Sequence, residues 1–210
     1  MTSMARSERE QLCDLALQVG EAEPTLCEGW DVKDLMVHLV LREGSPASVA
    51  NVVPQLSGVL ERASRRLAAR DFTVLVERVR RGPPVYSPFA LPKVDEVANT
   101  LEYFVHHEDV RRARPDWEPR VLSARDEDRL WRMVALAGRG LVRGSRVGVT
   151  LQRSDDGSTK VLSRGLGPVV VQGLPSEIVL FLFGRKQHAR VELLGDKEHV
   201  CALRGTSLGV

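Results

Sequence analysis

Apolar residues recur at helical spacing through the first two-thirds of the chain and then switch to a strand period. From about Ser3 to Val19, Leu12, Leu15, Ala16 and Val19 share one face, and Gly20 with Pro24 closes the segment. Asp31 lies three residues before Asp34 and ahead of Leu35, Met36, Leu39 and Val40, the signature of a cap that opens a second helix. Gly44 to Pro46 breaks it. Apolar positions from Val49 to Leu60 and from Phe72 to Val79 predict two more helical stretches, disturbed at Pro54 and joined by the mostly polar Glu61 to Asp71. Four prolines in the eleven residues from Gly82 to Pro92 predict a loop. The most regular helix runs from Val94 to Arg112, with Val94, Val97, Ala98, Leu101, Phe104 and Val105 on one stripe and Pro115 beyond its end. Ser123 and Glu127 lead into a last long helix holding Leu130, Trp131, Val134, Ala135 and Leu136, which Gly138, Gly140 and Gly144 exhaust.

After Arg146 the period is two. Val147 to Leu151 and Lys160 to Leu162 flank Asp155-Asp156-Gly157, a hairpin signal, and Pro168 to Gln172 is a β-branched run. Pro175 opens a helix through Ile178, Leu180 and Phe181 that Gly184 ends, Arg190 to Leu194 reads as a strand, and Asp196 to Leu203 as a closing helix. The expected fold class is therefore α+β, with a helical domain over residues 1–144 and a small α/β domain over residues 145–210.

Composition narrows the function classes. At 210 residues and 43% hydrophobic content the chain can bury a sizeable core. Its 30 basic and 28 acidic residues are interspersed, so neither nucleic acid nor an anionic membrane is expected as a partner. The nearest basic cluster, Arg78, Arg80 and Arg81, reads as a solvated helix end. No segment has the length of a membrane span, and the first residues lack the apolar run of a signal peptide. Cys13, Cys27 and Cys201 are odd in number and widely spaced, which suits a reducing cytoplasm better than a disulfide framework.

Candidate chemistry sits on two helices. Glu102 and His106 are four apart, about 40° from one another around the helix axis, so both heads reach one point. A carboxylate and an imidazole at this spacing can share a first-row divalent ion, and they suit zinc, iron, nickel or manganese alike. A solvated ion pair accounts for the same spacing. His38 flanks the stripe of Leu35 and Leu39 and reads either as a further ligand or as a half-buried histidine bonded to a carbonyl. His107, turned about 100° from His106, is expected at the surface or behind the site, and His188 and His199 at the surface. Asp109 either orients a ligand imidazole or pairs with Arg112. Arg42 either steers an anionic substrate or lies along the bundle surface. Gly138 to Gly144 fails the spacing of a dinucleotide loop, and Ser154 to Gly157 lacks the downstream Glu of a calcium loop. Cys27, in the loop before the His38 helix, could lie near the site.

Thr25 to Leu39, with Gly29-Trp30-Asp31 and His38, together with Leu101 to Ala113, with Glu102, His106, His107 and Asp109, resembles the actinobacterial relatives of mycothiol-dependent maleylpyruvate isomerase, within the DinB-like metal-dependent superfamily. Gly167 to Glu177 and Phe183-Gly184-Arg185 are similar to the α/β domain of such proteins. The resemblance implies a four-helix bundle whose metal is held by a histidine on the second helix and a Glu and His four apart on a later one: His38, Glu102 and His106 here. It implies a divalent ion, zinc, with coordination positions open, and a low-molecular-weight thiol such as mycothiol that the ion activates for isomerisation of, or conjugation to, an electrophilic substrate. A monomer or homodimer is expected. The alternative is a non-catalytic metal-containing binding or regulatory module.

Overall fold

The computed structural model describes residues 3–44, 57–91, 96 and 99–209 of the chain. They fall into two compact units, Met1–Glu118 and Pro119–Val210. The period of the sequence changes near residue 144, but packing divides the chain earlier. The last long helix is thus grouped with the strands that follow it.

The first unit holds five α-helices among the described residues: α1 (Met4–Val19), α2 (Val32–Gly44), α3 (Ser57–Ala68), α4 (Phe72–Arg81) and α5 (Thr100–Arg111), with a 3₁₀ turn at Pro88–Ala90. Ser3 caps α1 by accepting the Arg6 N–H, and Gly20, at φ 100°, ends it in a conformation that costs a larger residue strain. Asp31 caps α2 reciprocally: its Oδ1 accepts the Asp34 N–H at 2.8 Å while the Asp31 N–H reaches Asp34 Oδ2 at 3.4 Å. Asp71 caps α4 by accepting from Thr73 and Val74. The polar run expected to join two helices is itself helical, since α3 carries Glu61 through Ala68. Its strongly one-sided apolar pattern, not its overall polarity, decides the matter. The expected helical positions Val49 to Pro54, and the first turns of the Val94 helix at Val94, Val97 and Ala98, lie outside the described residues.

The core joins Leu12, Cys13 and Ala16 of α1 to Leu35, Met36 and Leu39 of α2, Leu75, Val76 and Val79 of α4, and Tyr103 and Val110 of α5. α1 packs on α4 and α5, and α2 on α3 and α4. α5 is buried at almost every position from Thr100 to Val110, which places its polar residues, not just its apolar stripe, inside the unit.

The second unit opens with α6 (Ala124–Leu141), capped by Ser123. There follow β1 (Gly148–Arg153), β2 (Thr159–Ser163), β3 (Pro168–Gly173), α7 (Pro175–Leu182), β4 (Glu192–Leu194) and α8 (Lys197–Gly205). The strand order is β2-β1-β3-β4, with β1 antiparallel to β2, parallel to β3, and β3 antiparallel to β4. Val149 pairs with Val169 and Leu151 with Val171, and all four are fully buried. α6 packs on α7 and β2, and α7 on β3. Glu127 of α6 accepts from the Ser176 N–H and hydroxyl at 2.9 and 2.8 Å, so it closes the start of α7. No helix of the described residues is long and apolar enough to cross a membrane.

Candidate metal centre

The capping pair of Asp31 and Asp34 fixes where α2 begins, and His38 follows one turn after Asp34. Glu102 lies in the first turn of α5, and His106 one turn on. His38 Nε2 and His106 Nε2 each stand 3.2 Å from Glu102 Oε1, and the ligand atoms of all three residues lie within 4.8 Å of one another. The structure thus brings together the three residues that the sequence singled out. The imidazole rings of His38 and His106 meet edge to face, with centroids 5.3 Å apart.

A guanidinium completes the surroundings of Glu102. Arg42 sets its Nε 3.2 Å from Glu102 Oε1, donates from Nη1 to Asn99, and lies 4.6 Å over the Phe89 ring. It is neither a surface residue nor an arm turned toward solvent: its guanidinium is engaged within the cluster. Burial opposes ionisation of Glu102, but the bonds from His106 and His38 and the charges of His106 and Arg42 outweigh it. They hold the carboxyl well below the usual range.

The second nitrogen of His106 is also committed. Nδ1 lies 2.9 Å from Asp109 Oδ2, whose carboxylate can only accept, so the ring donates there and Nε2 is the atom that faces Glu102. Asp109 therefore faces the imidazole, and Arg112 pairs instead with Glu108. Burial disfavours the charged ring, yet Asp109, Cys27 and Glu102 together raise the His106 pKa well above its ordinary value. Cys27, in the loop between α1 and α2, donates its S–H to the same Asp109 oxygen at 3.3 Å. Cys27, His106 and Asp109 form a second group whose donor atoms lie within 4.8 Å, on the opposite edge of the His106 ring.

Behind the cluster runs a chain of buried polar groups that the sequence did not disclose. Asn99 donates from Nδ2 to Glu43 Oε1 at 3.1 Å, Arg9 Nη2 meets the same oxygen at 2.5 Å, and the Arg9 guanidinium covers the Tyr103 ring. Burial pushes the Glu43 carboxyl up against the opposing pull of Arg9. Partners 34 and 56 positions apart leave no local spacing to read.

Of the two places expected for His107, the surface is excluded. It is 5% exposed and pairs through Nδ1 with Glu8 Oε2 at 2.8 Å, because α1 covers the face of α5 that helical geometry alone left open. His188 and His199 are half-buried in the second unit, and His199 Nδ1 faces Asp196 at 3.6 Å. Arg80, in the basic end of α4, pairs with Asp14 and Glu77, in keeping with a solvated helix end.

No family model matches the chain, and no curated protein does so either. Among solved structures it is similar to the mycothiol-dependent maleylpyruvate isomerase, with TM-score 0.59 and 15% identity over 92% of this chain and 95% of that one. A histidine-to-alanine mutant of that isomerase matches over the same shares at TM-score 0.60 and 15% identity. The chain therefore has the fold of mycothiol-dependent maleylpyruvate isomerase.

Proposed function

We propose that the chain holds one divalent ion, zinc, through His38, Glu102 and His106, and uses it to activate a low-molecular-weight thiol for isomerisation of, or conjugation to, an electrophile. The convergence of two imidazole nitrogens and a carboxylate oxygen on one point carries this reading. The donor set fits the ion. Bonds of about 2.0 Å in a tetrahedral site put neighbouring ligand atoms about 3.3 Å apart, and both nitrogens stand 3.2 Å from Glu102 Oε1. Three protein ligands leave positions open, as catalytic sites do. The fold, shared with an enzyme that uses mycothiol, supports a thiol of that kind as co-substrate.

When bound, the ion supplies a Lewis acid that lowers the pKa of a thiol at its open position. The residues do the rest. Asp109 keeps the His106 Nδ1 proton in place, so that Nε2 offers its lone pair. Glu102 is ionised already, and Arg42 offsets part of its charge and fixes its rotamer through Asn99.

Metal analysis of protein purified without a nickel column tests the proposal. About one zinc per chain is expected in the wild type and none in His106→Ala. Equal metal in the two overturns it. Zinc retained without turnover across a panel of thiols and electrophiles would leave a non-catalytic metal module.

A further inference from the structure

The loop between α1 and α2 reaches both histidines. Its path is set by a turn from Cys27 to Trp30, closed by the Trp30 N–H on the Cys27 carbonyl at 3.0 Å, with Gly29 at φ 77° in the third position. A β-turn of this kind needs a left-handed residue there, and glycine supplies it without strain. Thr25 ties the loop across its base: its hydroxyl donates to the Trp30 carbonyl at 2.9 Å and accepts the Cys27 N–H at 3.2 Å.

Three contacts connect this loop to the cluster. The Leu26 N–H donates to the Asp109 carbonyl at 3.1 Å, filling one of the last carbonyls of α5, which have no partner within the helix. Cys27 donates its S–H to Asp109 Oδ2, the same oxygen that holds His106 Nδ1. Trp30 lays its ring against His38, with centroids 5.1 Å apart. Asp109 is completely buried, and a buried carboxylate keeps a fixed orientation only while donors satisfy it.

We propose that Cys27 and Trp30 are positioning residues for the metal ligands: Cys27 fixes the Asp109 carboxylate and through it the His106 ring, and Trp30 seats His38. This rests on the metal reading of the previous subsection. Neither side chain touches the ion. Their contribution is to hold both imidazoles in the binding geometry before the ion arrives, which lowers the cost of ordering them and slows loss of the ion.

The test uses zinc alone. Affinity is measured by competition with a chromophoric chelator on the full chain, alongside the unfolding midpoint of the zinc-free protein. Cys27→Ala is expected to weaken zinc binding about 10-fold, and Asp109→Asn by about 10- to 100-fold, the range typical for partners of metal-bound histidines. Cys27→Ser keeps a donor and is expected to recover most of the loss. Trp30→Leu is expected to speed zinc dissociation while the zinc-free midpoint holds. Wild-type affinity in both Cys27→Ala and Trp30→Leu overturns the proposal, as does a Cys27→Ser variant as weak as the alanine. Failure of the wild type to bind zinc overturns the metal reading itself, and this inference with it.

Discussion

Arg42 and His106 compete for the same atom of Glu102: each places a nitrogen 3.2 Å from Oε1, Arg42 from α2 and His106 from one turn further along α5. One carboxylate oxygen that collects two imidazoles and a guanidinium is an anion prepared for more positive charge than a surface pair requires. In the absence of an ion, the Arg42 guanidinium and the raised proton affinity of the His106 ring supply it.

Proton and metal should therefore oppose one another. The His106 pKa is raised, so its contribution to the stability of the zinc-free chain is full below the unfolded imidazole value of about 6.5 and is lost as pH rises through the folded value. Zinc needs Nε2 bare, so its affinity changes in the opposite sense, increasing over that same window, and its uptake expels a proton. Calorimetric titrations in buffers of different ionisation enthalpy should show proton release near neutrality. An affinity independent of pH across the window would contradict the assignment of His106.

The cap at Asp31 should be separable from the site. Asp31→Ala removes the acceptor of the Asp34 N–H and is expected to cost about 1 kcal/mol in urea unfolding, with helix content by circular dichroism unchanged. A loss within error would mean that α2 is held by packing alone.

Arg9 and Glu43 form a pair whose side chains are 7% and 5% exposed. Removing one partner leaves a charge buried, so Glu43→Leu or Arg9→Met alone should each cost about 3–5 kcal/mol. The double variant should cost far less than their sum, and chemical unfolding of all four proteins gives the coupling directly. Additive losses would show that the pair is not the unit of stability.

Two glycines of the second unit should respond in opposite directions. A Cβ on Gly165 would come within 2.4 Å of the Arg146 carbonyl oxygen and 2.7 Å of the Val147 carbonyl carbon, backbone that cannot swing aside. Gly165→Ala is expected to destabilise by about 1–3 kcal/mol. Gly140, within α6, has open space around it, and Gly140→Ala should stabilise by up to about 1 kcal/mol. Thermal unfolding that moves both midpoints the same way would contradict this.

What could be read from the sequence was what depends on local spacing. Asp31 with Asp34 marked the start of α2, and Asp155 to Gly157 marked the hairpin of β1 and β2. Glu102 and His106 at i, i+4 marked a shared focus, although only the family resemblance joined them to His38. What escaped depends on tertiary cover. The single apolar stripe of α5 gave no sign that its other faces are buried too, so His107 stood open between the surface and a place behind the site, when Glu8 of α1 had enclosed it. Arg42 and Asp109 each had a surface explanation, and the contacts that hold them in the cluster besides Glu102 and His106, to Asn99 and to Cys27, come from segments 57 and 82 positions away. The strength of the Glu108–Arg112 spacing relative to Asp109–Arg112 was visible only once geometry chose between i+4 and i+3.

On the proposed metal reading, the separation between His38 and Glu102, 64 positions along the chain, would also make the cluster a checkpoint of chain maturation. Closing a loop of that length is entropically costly before native contacts repay it, and a nascent chain that ends before α5 cannot present the trio at all. An ion that needs all three ligands would discriminate between finished and unfinished chains, so its uptake would report that α2 and α5 have docked, and its release would be an early sign that they are coming apart.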